Sequence, residues 1–290
     1  DCPSLTDYLK RFELSGNILQ SKDAIEYVTK SLVKRLYNLG YFYAEIRYAP
    51  LLHLRNGLTQ KEVVEAALKG LNDGLKECPG MEAGLILCTM RHADEQTNLD
   101  TVEVANLFKG TRVVAVDLAG DETLHPCSYY KNVFNKAKEY DLNITIHGGE
   151  ATGSDEVLMA VDNGATRIGH GVHLSLDKET VKIIKDKNIC FEFCPTSNLQ
   201  TKSLKTYQDV PLKQFMSLGI PVTINSDNMT VSDTTAIREM SIMKKTFNLT
   251  KEEVNQLLTN SIEHAFTSES VKKALKEKLA KRIDEFYESL

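Results

Sequence analysis

Short apolar runs of four to seven residues recur along this chain, and most are followed by a stretch whose apolar residues return at helical spacing. The runs are 42–48 (FYAEIRY), 84–90 (GLILCTM), 113–117 (VVAVD), 143–147 (NITIH), 166–170 (TRIGH), 188–193 (NICFEF) and 221–225 (PVTIN). Between them the periodicity predicts helices over 59–77, 100–109, 129–140, 154–163, 178–187 and 212–218, and beyond the last run over 232–246, 251–261 and 269–290. Thr59, Thr250 and Ser268 stand where helix N-caps belong. Regular alternation of strand and helix means a parallel sheet covered by helices. No GxGxxG or GxxxxGK[ST] loop follows an early strand, which weakens a dinucleotide-binding or P-loop reading.

The fold class expected is therefore α/β, a (β/α)8 TIM barrel, which uses a chain of this length as one domain. Such a barrel needs eight strands, and the opening residues read instead as helices over 4–12 and 22–39, the second with Ile25, Val28, Leu32, Val33 and Leu36 on one face. The first strand is accordingly expected ahead of Asp1. Residues 1–39 are then helical, 40–228 carry strands two to eight with their helices, and 229–290 form C-terminal helices of the same single domain.

The balance of charge narrows the partners. A formal net charge of −5 argues against a nucleic-acid surface, which shows a basic patch, and a small-molecule partner fits better. No apolar run approaches the roughly 18 residues needed to cross a bilayer. Six cysteines are scattered without metal-ligand spacing and read as free thiols of a reducing cytoplasm, Cys190 and Cys194 among them.

In a parallel barrel the C-terminal ends of the strands face the active site. Here they run into DLAGDE (117–122), HGGE (147–150), GHG (169–171) and NSDN (225–228). Singly these are ordinary: a histidine at a strand end is often a packed or turn residue, two glycines make a turn, and Asp227 could cap a following helix, although Ser232 or Asp233 stands closer to it. Together, two histidines, a glutamate and an aspartate at corresponding strand ends point to chemistry. Imidazole and carboxylate suit zinc, and a second carboxyl that holds a proton suits a general acid, so the set predicts metal-assisted hydrolysis.

At these residues the chain resembles the adenosine deaminase family of zinc amidohydrolases. The resemblance runs in order through YAEIRYAP (43–50), MRH (90–92), VVAVDLAGDE (113–122), TIHGGE (145–150), RIGHG (167–171), FEFCPTSN (191–198) and TINSDN (223–228). It implies that His147 and Asp227 are zinc ligands and that Glu150 gives a proton to purine N1. It also implies that His170 stabilises or helps deprotonate the attacking water, and that Gly120 reaches purine N3 through its backbone N–H. The implied activity is hydrolytic deamination of adenosine, and of 2′-deoxyadenosine, for purine salvage, with one zinc ion per subunit.

Two departures qualify the match. The family carries an HxH pair of zinc ligands on its first strand, and no HxH occurs in residues 1–290, so this chain by itself is expected to hold an incomplete zinc site and to be inactive. Many animal members have two aspartates where this chain has Asp227 and Asn228; the Asn228 amide can still donate to purine N7. Two other readings stay open: a related deaminase of adenine or AMP, and an idle relative that binds a nucleoside or a protein partner. The partner expected is a purine nucleoside, with no nucleic acid and no membrane, for a monomer or weak oligomer. His53, His92, His125, His173 and His264 are read as structural, His92 and His173 being the nearest to strand ends, and Met240 and Met243 as core.

Overall fold

The computed structural model describes residues 10–290. Of the helix expected over 4–12, residues 4–9 lie outside the described residues; Lys10–Phe12 form a single 3-10 turn leading into a short helix, Glu13–Ile18. Among the described residues there are seven strands, and they are the seven apolar runs with adjusted ends: β1 Tyr43–Tyr48, β2 Glu82–Met90, β3 Val113–Ala119, β4 Thr145–Gly148, β5 Arg167–His170, β6 Cys190–Phe193 and β7 Val222–Ile224. All pair in parallel. No described helix is long and apolar enough to cross a membrane.

Packing groups the chain into two units. One holds Phe12–Gly120 and Tyr130–Ile144. Its sheet runs in the order β1-β2-β3, and an isolated parallel bridge joins Val116 to Ile144. β2 is buried from Ala83 to Thr89, as a strand covered on both faces must be. The helix Gln60–Lys76 lies against the helix Lys22–Asn38 so closely that a Cβ at Gly70 would run into the carbonyl oxygen of Glu26. Thr59 caps that helix in a capping box with Glu62.

The other unit holds Asp121–Tyr129 and Thr145–Leu290, with the sheet order β4-β5-β6-β7. Ile146, Ile168, Phe191 and Val222 are fully buried within its strands. Phe215, from the helix Leu212–Ser217, sets its ring edge-on to Phe191 at 5.0 Å and to Phe193 at 5.1 Å, the edge-to-face geometry that aromatic rings prefer. On the same sheet, Glu192 of β6 pairs with Arg167 of β5 at 2.6 Å and accepts a hydrogen bond from Thr145 of β4 at 3.3 Å. The guanidinium also stacks 3.9 Å from the Phe266 ring centroid and donates to the His264 carbonyl, so this buried charge is partnered on several sides.

Three expectations of the helix reading are corrected or completed. The helix after β7 is Ala236–Phe247 and its N-cap is Thr235, whose side chain accepts from the Arg238 N–H; Asp227, Ser232 and Asp233 do not cap it. A short helix, Pro195–Gln200, follows β6 where no helix was expected. The helix expected over 100–109 begins earlier, at Glu95, because Asp94 caps it by accepting from the Thr97 N–H. Thr250 and Ser268 cap as expected, and Met240 and Met243 are buried.

Phe215 is fully buried against Phe191 and Phe193 of β6, the strand that leads into the polar segment described below. Phe215→Ala should lower the unfolding free energy by about 3–5 kcal/mol, read as a drop in the urea midpoint; a loss below about 1 kcal/mol would show that the ring cluster does not hold the helix Leu212–Ser217 to β6.

Candidate active site

β4 ends in His147 and Gly148, and the chain then reverses through Gly149, whose φ of +69° lies in the left-handed region. A Cβ at Gly149 would stand 2.7 Å from Val157 Cγ2, so both the backbone and the space call for glycine. This turn carries Glu150 inward, to 6% exposure. Burial pushes its carboxyl above the usual carboxylate range, opposed by the neighbouring His170 and reinforced by the negative charge of Asp227. Thr201 Oγ1 donates to Glu150 Oε1 at 3.0 Å.

β5 delivers His170, which is 2% exposed and sits at a φ of +64°. A non-glycine residue in this region costs of order 1–3 kcal/mol and is found where the surroundings hold it in place. The surroundings here are specific. Its Nε2 lies 3.6 Å from Glu150 Oε2, and its Nδ1 lies 3.1 Å from the Asn198 amide nitrogen. The flanking glycines make room: a Cβ at Gly169 would stand 3.3 Å from His147 Cα, and one at Gly171 would meet the Phe191 ring. The His147 and His170 rings are 5.4 Å apart between centroids and inclined by 50°.

β6 leads into the Pro195–Gln200 helix, where Ser197 and Asn198, two residues of the FEFCPTSN motif with no expected role, make three contacts. Ser197 Oγ donates to Asp227 Oδ2 at 2.7 Å. Asn198, fully buried, sets its amide nitrogen between His170 and, at 3.5 Å, Glu150 Oε1. The start of this helix is held by the fully buried Glu239, which accepts from the Thr196 N–H at 2.8 Å, from Thr196 Oγ1 at 2.5 Å and from Thr234 Oγ1. A proline after a strand followed by Thr, Ser and Asn was the available signal, since proline at a first helical position is pre-organised for a helix.

β7 ends at Ile224 and leaves Asp227 exposed at a φ of +54°. The Asn228 side-chain oxygen accepts from the Thr230 and Val231 N–H groups at 3.0 and 2.8 Å, which leaves its NH2 group as the donor for any further bond. His147, Glu150, His170 and Asp227 thus all belong to the unit of β4–β7 and follow one edge of its sheet, where the charges of His147, His170 and Asp227 all act on Glu150. Gly120 belongs to the other unit, at a φ of +113° and with a hypothetical Cβ 3.3 Å from that of Arg91. His92 and His173 are exposed, and His53 shares a hydrogen bond with the Leu19 carbonyl.

The donor types for a metal are present in part. His147 and Asp227 offer an imidazole nitrogen and a carboxylate oxygen, but among the described residues no three histidine, cysteine or carboxylate side chains converge as a metal site. A catalytic zinc takes three protein ligands, so the described residues alone do not complete one. What they do assemble is a buried carboxyl, raised above its usual range by burial, 3.6 Å from a buried imidazole.

Known proteins resemble this chain in sequence and in fold. The sequence model of the family described as adenosine deaminase matches residues 1–282. An adenosine deaminase of Haemophilus ducreyi is 42% identical over 280 residues, spanning 95% of this chain and 81% of that protein. Among solved structures, an adenine deaminase from Arthrobacter aurescens superposes with a TM-score of 0.90 at 22% identity, covering 98% of this chain and 86% of the other. An amidohydrolase from Burkholderia ambifaria with bound zinc gives 0.85 at 20% identity, covering 93% and 76%. At such identities the likeness concerns the fold, an α/β arrangement of parallel strands of the (β/α)8-barrel class. With a family model spanning nearly all its residues and a relative above 40% identity, the chain belongs to the adenosine deaminase family.

Proposed function

We propose that this protein catalyses the hydrolytic deamination of adenosine, and of 2′-deoxyadenosine, releasing ammonia and leaving inosine or its deoxy counterpart, as a step of purine salvage in the cytoplasm. The observation that carries the reading is Glu150, a buried carboxyl raised above its ordinary range and 3.6 Å from His170 on the neighbouring strand. A neutral carboxylic acid can protonate a ring nitrogen, which a carboxylate cannot.

In this reading Glu150 gives its proton to purine N1, which draws electrons away from C6 and opens that carbon to water. His170 holds the attacking water at C6 and stabilises the charge that develops on its oxygen. The C6–N6 bond then breaks; of the two protons of the attacking water one goes to the amine, which leaves as ammonia, the other restores Glu150, and the oxygen remains on C6 while N1 keeps its proton. Asn228, its oxygen committed to the backbone, offers its NH2 group to purine N7. His147 and Asp227 are assigned to a zinc ion, together with donors that these two residues do not supply. A zinc ion held there would supply the chemistry of activating water, by lowering its pKa to about 7.

Adenosine is favoured over adenine and AMP because the relative at 42% identity is named for adenosine, whereas the adenine deaminase is only 22% identical. The segment RYAP (47–50) resembles the nucleoside enzymes, and no cluster of basic residues marks a phosphate pocket. The five described cysteines are buried thiols with no disulfide among them, which fits a reducing compartment.

In the full-length protein, kcat/KM for adenosine should exceed that for adenine or AMP by at least about 100-fold; faster ammonia release from either rival would overturn the substrate. Glu150→Gln should lower kcat by about 10²–10⁴-fold while zinc content, read by elemental analysis, stays near wild type. Normal turnover in that variant would refute the acid role. Asp227→Ala should lose the metal, and retained zinc would contradict the ligand assignment.

A further inference from the structure

Glu122 is a second buried carboxylate beside the candidate acid, 4% exposed and without a role in the reaction as derived above. It lies in the Asp121–Tyr129 segment of the unit that holds β4–β7. Its two oxygens accept three backbone hydrogen bonds from the turn after β4. Oε2 takes the Gly149 N–H at 2.9 Å, and Oε1 takes the Ala151 N–H at 2.5 Å and the Thr152 N–H at 2.8 Å. These amides bracket Glu150 on both sides. The loop is wrapped about one anion, and the left-handed φ of Gly149 is what lets its N–H join the other two.

The segment that carries Glu122 is itself anchored. Glu156, 3% exposed on the helix Ser154–Asp162, accepts from the Cys127 N–H at 2.8 Å, and Asn163 donates to the Cys127 carbonyl at 3.0 Å. At its near end Asp121 accepts from both the N–H and the hydroxyl of Thr123. The Glu122 oxygens are therefore held from outside the loop they bind, so they can define where that loop sits. Loops tied only to themselves have no such reference.

We propose that Glu122 is a positioning residue for the reaction: its carboxylate fixes the backbone of Gly149–Thr152 and so sets the place of the Glu150 carboxyl against His170 and the substrate. The proposal rests on Glu150 acting as the proton donor. Displacement of a reacting group by about 1 Å can cost about 10²-fold in rate, so a change at Glu122 should be felt in turnover without any contact with substrate.

The test uses Glu122→Gln, which keeps the size and shape of the side chain but offers one acceptor oxygen where the carboxylate offers two, so at least one of the three N–H groups loses its partner. In the full-length enzyme kcat for adenosine should fall by about 10- to 100-fold with KM held within about threefold. In a Glu150→Gln background the same change should lower kcat by no more than about twofold, since the group it positions is already gone. Independently of activity, hydrogen exchange at one or more of Gly149, Ala151 and Thr152 should quicken by at least about tenfold, with the amides of β5 and β6 unchanged.

Wild-type kcat in Glu122→Gln, or an equal further loss in the Glu150→Gln background, would overturn the proposal. Unchanged exchange at the three amides would overturn it as well. If instead Glu150→Gln turns over normally, the acid reading fails and the positioning role falls with it; normal turnover of Glu122→Gln beside an inactive Glu150→Gln sinks the positioning role alone. Glu122→Asp, with a shorter reach and both oxygens kept, should recover part of the lost kcat.

Discussion

Parallel pairing obliges every strand of a sheet to end at the same edge, and the rest of this site depends on that constraint. In the β4–β7 sheet the register sets Gly148 beside His170 and Phe193 beside Ile224. Residues far apart in sequence therefore leave the sheet side by side. The register also explains why His170 stands between glycines. Gly169 lies directly opposite His147, and a side chain there would crowd that residue, while Gly171 yields to the Phe191 ring beneath the turn.

The unit around this sheet buries several carboxyl groups, and their surroundings give them different work. Glu192 is matched by the Arg167 guanidinium and braces the sheet. Glu239 and Glu122 are matched by backbone N–H groups and hydroxyls, so each ties one loop in place. Among the described residues Glu150 meets the Thr201 hydroxyl, a more distant Asn198 amide and the His170 ring, and burial raises its proton affinity. Burial away from donors disfavours the charged form of a carboxyl, whereas a matched carboxylate stays charged.

Much of the architecture was legible in the chain. All seven apolar runs are strands, because a strand covered on both faces has to be apolar, and the caps at Thr59, Thr250 and Ser268 could be read from single residues. The Pro195–Gln200 helix escaped because its Thr, Ser and Asn favour turns as readily as a helix start, and only the hydrogen bonds to Glu239 decide between them. The cap at Thr235 escaped for a similar reason: Ser232, Asp233 and Thr235 are all acceptable caps, and the path of the chain after β7 selects one.

The sequence by itself determined the parallel α/β class, the family and the four polar residues at strand ends, since periodicity and motif order are local properties of the chain. The tertiary structure decided what surrounds those residues. That Ser197 bonds Asp227, that Asn198 stands between His170 and Glu150, and that Glu122 gathers the turn carrying Glu150 are contacts between segments distant in sequence. Residue type says which groups can donate or accept, but a hydrogen bond needs about 3 Å and a direction, and only the folded chain supplies both.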